Sequence, residues 1–147
     1  MGAHPYFYFV EYQPDIDAAL QELREREFQA GRYNPVEPFL EFPLDANSPA
    51  PGPQHESIDE AREAADADGT RSILDIENIS DEPNFSVAAP LTEAQLEEYF
   101  GTVHPTKDMI NQNMDFLEDI ERGHCVYIVV YKENQPDEIF FAGYSFD

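Results

Sequence analysis

His124–Asp147 reads HCVYIVVYKENQPDEIFFAGYSFD, and this stretch decides the fold. Cys125–Tyr131 is a run of β-branched and aromatic residues, and Glu138–Phe146 is a second. Glu133-Asn134-Gln135-Pro136-Asp137 between them carries Asn, Pro and Asp, which suit a turn, so the pair reads as a β-hairpin. Side chains alternate faces along a strand. In the first arm Val126, Ile128 and Val130 share one face, and Tyr127, Val129 and Tyr131 share the other. A strand apolar on both faces belongs at the centre of a sheet, covered at least partly on both sides.

The remaining elements are arranged around that hairpin. Pro5–Tyr12 predicts the first strand, with Tyr6, Tyr8, Val10 and Tyr12 on one face and Phe7 and Phe9 on the other. The tyrosine stripe reads as an aromatic recognition surface, as a half-exposed sheet face or as a second layer of core. Asp15 caps a helix over about 15–29 whose inward stripe is Ile16, Ala19, Leu20, Leu23 and Phe28, and Gly31 stops it. Glu22, Arg24, Glu25, Arg26 and Glu27 read as its solvated face, held by local ion pairs.

Residues 34–54 hold six of the 12 prolines, so they predict an irregular surface segment, with a short edge strand near Phe39–Phe42. Ser57-Ile-Asp-Glu60 and Thr92-Glu-Ala-Gln95 are capping boxes that open helices near 57–66 and 92–100. Thr106 opens the longest helix, over 107–122, with Met109, Ile110, Met114, Phe116, Leu117 and Ile120 inward. The expected architecture is a single acidic α+β domain over 1–147. Its sheet is mostly antiparallel, with four or five strands at 6–12, 71–77, 85–89, 125–131 and 138–146. About four helices cover mainly one face. The predicted core is Phe7, Phe9, Leu20, Leu23, Leu74, Val87, Leu96, Ile110, Leu117, Val126, Ile128, Val130, Ile139 and Phe141.

Charge is the strongest compositional feature: 31 acidic residues against 8 basic, a net of −23 in 147 residues. Direct nucleic-acid binding needs Lys and Arg to neutralise phosphates, so it is disfavoured, and anionic membrane surfaces are disfavoured for the same reason. No window approaches the roughly 20 apolar residues of a membrane span. The N-terminus lacks the basic region of a signal peptide. The single Cys125 cannot form an internal disulfide, which fits a reducing, cytoplasmic setting. Three readings of the charge remain: solubility alone, complementarity to a basic protein partner, and salt adaptation or cation binding.

Asp66-Ala67-Asp68-Gly69-Thr70 resembles the D-x-D-G-T signature of haloacid-dehalogenase-like phosphotransferases. The resemblance implies a nucleophilic Asp66, a proton-handling Asp68 and Mg²⁺ held between phosphate and carboxylates. In that family the motif follows a buried strand, whereas Ala61–Ala65 follows a capping box and reads as a helix end. The stretch also partly resembles a calcium loop, with Asp66, Asp68 and Gly69 at its third, fifth and sixth positions, but Ala64 stands at the first and Arg71 within it. An Asp-Gly turn after a helix accounts for the same residues. His4, His55, His104 and His124 lack helical metal-ligand spacing, and Cys125 reads as a packing residue. Their spacing implies no metal site, and no cofactor is expected for the interaction reading.

Two functional classes follow. The first is a non-catalytic interaction or regulatory protein, of inhibitor or immunity type, that docks a basic partner. Its densest region is Glu56–Glu82, ten acidic residues against Arg62 and Arg71, a net of −8. Glu56, Asp59, Glu60, Glu63, Asp66 and Asp68 are its candidate contacts, joined by Tyr6 and Tyr8. The second is a small metal-dependent hydrolase or phosphotransferase built on Asp66, Asp68 and His104. Self-association through a sheet edge or aromatic patch is compatible with either.

Overall fold

A computed structural model describes residues 5–33, 43–68 and 72–145, with side chains described throughout except at 65–68. The C-terminal hairpin pairs β4 (Cys125–Lys132) with β5 (Gln135–Tyr144) in antiparallel register, from Cys125 opposite Gly143 to Lys132 opposite Gln135. Its turn is tighter than the five-residue connection expected. Only Glu133 and Asn134 lie outside the ladder, at φ 53° and 64°, and two positive φ values make a type I′ turn whose twist matches the strands. Pro136 therefore sits in β5, tolerated because the register shifts at Val130/Tyr131 beside it.

β1 (Pro5–Glu11) adds antiparallel to β5, with Tyr6 opposite Gly143. On the other side of the hairpin lie β3 (Val87–Pro90) and β2 (Asn78–Ile79), giving the order β1-β5-β4-β3-β2. β4 and β5 are central, as their two apolar faces require. β3 runs parallel to β4 and to β2, so the sheet is mixed, which corrects the mostly antiparallel expectation. The cause is the connection: α3 (Glu93–Phe100) and α4 (Lys107–Gln112) carry the chain back across the sheet before β4 starts.

The layers also depart from the one-sided arrangement. α1 (Ile16–Ala30), α2 (Ile58–Asp68) and a 3-10 turn at Ile73–Asp75 pack on one face. They enclose Leu20, Leu23, Leu74, Ile139 and Phe141 together with Tyr6 and Tyr8. α3, α4 and a 3-10 segment at Met114–Asp119 pack on the other, around Ile110, Ile128, Val130 and Phe140. The alternation that made β4 apolar on both faces demanded two covering layers.

Local chemistry explains the remaining departures. The strand expected at 71–77 is instead the 3-10 turn followed by β2, because Ser72 caps it: its hydroxyl accepts from Leu74 N at 3.1 Å, and Asp75 accepts from Ser72 N. The strand expected at 85–89 starts later, at Val87, because Ser86 has φ 63°. The long helix expected over 107–122 is interrupted after Gln112. The Asn113 side-chain amide takes the Met109 carbonyl at 2.7 Å, displacing the backbone bond that would continue the helix. Met109 faces outward, against the inward position expected, while Phe116 and Leu117 lie inward on the 3-10 segment. The expected edge strand at Phe39–Phe42 lies outside the described residues. Just beyond it, Leu44 bonds both ways to the β1 edge, accepting from Phe7 N and donating to Pro5 O. Of the predicted core, Phe7, Phe9, Val87, Leu96 and Val126 are partly exposed rather than buried.

Candidate functional site

α2 is oriented by two inward residues. Ala61 is fully buried and Ile58 packs against the same core, so Asp59, Glu60 and Glu63 point outward, with Glu56 exposed just before them. Ser57 caps the helix as its sequence predicts, accepting from Glu60 N at 3.1 Å. Glu60 reaches one residue further than a standard capping box, accepting from Glu56 N rather than Ser57 N. Glu25, Gln29, Glu56 and Asp59 border a shallow cleft of about 300 Å³ between α1 and α2. This brings Glu25 of α1 to the α2 carboxylates. Asp66 and Asp68 continue the same helix, and their side chains lie outside the described residues, as do Gly69, Thr70 and Arg71.

Among the described residues the cations nearby are engaged. Arg62 bonds Glu77 at 2.6 Å, and that bond holds the Glu77 carboxyl below its usual range. Arg24 donates to the Leu74 carbonyl. Both lysines of the chain, Lys107 and Lys132, line a separate cleft with Asp108, Glu133, Asp137 and Glu138, and Lys107 lies 3.5 Å from Glu138. None of these offsets the outward carboxylates of α2.

Two tyrosines of the stripe are interior, while Val10 and Tyr12 remain partly exposed. Tyr6 and Tyr8 are each 1% exposed, so neither forms part of a surface, and the recognition reading of these two is corrected. The sheet face they occupy is sealed by α1. Burial pushes both phenols well above their ordinary range.

Sequence reasoning missed a buried ion cluster. Glu27, expected on the solvated face of α1, is completely buried. Its carboxylate accepts two bonds from the Arg32 guanidinium, at 2.6 and 2.7 Å, and one from Arg26 at 3.1 Å. The bond to Glu27 raises the Arg32 pKa. The Tyr8 hydroxyl lies close enough for the carboxylate to oppose its ionisation. The available signal was spacing: Glu27 follows Leu20 by seven residues and Leu23 by four, which puts it on the apolar stripe.

The residues of the enzymatic reading are placed apart. Asp66 and Asp68 belong to α2 in the first layer, whereas His104 leads into α4 in the second and stacks on Tyr131 at 4.2 Å. Cys125 is buried, and desolvation pushes its thiol up to about 12, far from the thiolate a nucleophile needs. Among the described residues no three His, Cys, Asp or Glu side chains converge as metal ligands, and no helix is long and apolar enough to cross a membrane. Comparison of the chain with protein-family models, with curated proteins and with solved structures returns no match.

Proposed function

We propose that this chain is a non-catalytic interaction protein that docks a basic protein partner on its negative exterior. One observation carries the reading: Glu56, Asp59, Glu60 and Glu63 all face solvent from one helix end, while the neighbouring Arg62 is held by Glu77. Such a surface steers a cationic partner into contact, raising the association rate at low salt. It can also stand in for the phosphates that a nucleic-acid-binding protein recognises, which is how an inhibitor or immunity-type protein would use it. At physiological ionic strength the field reaches only about 8 Å, so the contact is direct.

The test is affinity capture with the immobilised chain in about 0.05 M and about 0.5 M salt, beside a variant carrying Glu56→Gln, Asp59→Asn, Glu60→Gln and Glu63→Gln. The expected result is retention of a defined basic protein that the variant or the higher salt releases. Retention indifferent to both would overturn the reading.

A further inference from the structure

The two layers are not equally sealed. On the first face Leu20, Leu74 and Ile139 are completely buried. On the second, α3 buries none of its residues, and Leu96, Tyr99 and Phe100 all remain partly exposed. The sheet edge is short on this side, with four residues in β3 and only two in β2. A groove of about 260 Å³ lies here, with Leu91, Tyr99, Ile120 and Val126 as its apolar walls. Asp119 and Glu121 stand at its rim, and none of its lining residues is Lys or Arg. Asp119 is fixed in place by the Tyr99 hydroxyl, which donates to it at 2.9 Å. Glu121 has 79% of its side chain exposed and stands 3.7 Å from His124 Nε2, which lines the same groove.

We propose that this groove is the specificity contact for the basic partner: it takes one apolar side chain of a partner segment whose adjacent Lys or Arg pairs with Asp119 and Glu121. This rests on the reading under Proposed function and supplies what a diffuse acidic face lacks, a shaped anchor point. The groove is below the roughly 300–1,000 Å³ of small-molecule sites, which suits a single side chain better than a substrate. A second copy of the chain is the wrong occupant electrostatically, because it brings another −23 charges to an already anionic rim. A cationic segment with an apolar anchor satisfies both the walls and the rim.

Fluorescence anisotropy with three labelled synthetic peptides tests this at low salt: a Leu flanked by Lys and Arg, the same peptide with Ala for Leu, and the same with Glu flanks. The Leu peptide is expected to bind about tenfold or more tightly than the Ala peptide, the Glu peptide not at all. Amide chemical shifts should move at Leu91, Tyr99 and Val126, and Glu121→Lys should weaken binding. Equal binding of the Leu and Ala peptides, or shifts centred on α2, would overturn the groove while leaving the basic partner standing. Failure of every cationic peptide would remove the partner reading itself. A dimer in light scattering that Leu91→Ala dissolves would assign the groove to a second copy and overturn the proposal.

Discussion

Tyr6 and Gly143 face each other across the β1–β5 ladder, and the Tyr6 hydroxyl stands 2.6 Å from where a β-carbon on Gly143 would be. The His124 carbonyl oxygen is equally close to that point. The glycine is thus required by contact, because the space its side chain would fill is taken by a buried ring and a backbone carbonyl. Gly143→Ala is expected to destabilise the fold by about 1–3 kcal/mol, the usual range for overpacking. A lower urea midpoint with an unchanged slope would show it; an unaltered midpoint would mean that both the Tyr6 ring and the His124 backbone can give way.

The Glu27–Arg32 pair predicts a sharp asymmetry. Arg32→Ala leaves the buried Glu27 carboxylate with only the 3.1 Å bond from Arg26 and should cost up to about 3–5 kcal/mol. Replacing both partners, Glu27→Leu with Arg32→Met, should recover most of that loss, since a paired buried charge gains little over good apolar packing. Denaturation of the single and double variants measures the difference.

The hairpin turn carries backbone strain that substitution can relieve. Glu133 holds φ 53° without the local side-chain bonding that lets Asn adopt this region. Glu133→Asn with Asn134→Gly installs the favoured type I′ pair and should raise stability by about 0.5–1 kcal/mol. Thermal unfolding would register a higher midpoint; a lower one would contradict the turn type.

Alkaline pH should unfold the chain through its buried acids. Tyr6, Tyr8 and Cys125 hold their protons more firmly folded than unfolded, chiefly because burial penalises their charged forms. Their contribution to stability is complete below the ordinary values, 9.0 for the thiol and 10.0 for the phenols, and declines as pH rises above them. For Cys125 the decline runs to about 12. Urea midpoints should therefore fall steadily over this window, and Cys125→Ala should flatten the first part of the fall. The native thiol should also resist alkylation near neutral pH and react once urea unfolds the protein.

Features written into neighbouring residues were legible in the chain. Asp15, Ser57, Thr92 and Thr106 cap helices as expected because each accepts from a backbone amide three residues on. The hairpin was equally plain, since strand alternation and turn residues lie side by side. Asn113 shows where local reading ends: one side-chain bond to Met109 divided a helix whose apolar spacing ran on unbroken. The acidic α2 face was half legible. Composition located it, but only the burial of Ala61 set which carboxylates turn outward.

Periodicity and capping, with energies confined to a turn or two, were enough to establish a central hairpin, an α+β composition and a strongly anionic surface. Parallel pairing of β3 with β4, helices on both sides of the sheet, the interior position of Glu27 and Tyr8, and the half-sealed groove under α3 emerged only on assembly. Each depends on how elements distant along the chain share a finite sheet area, and no window of consecutive residues encodes that division.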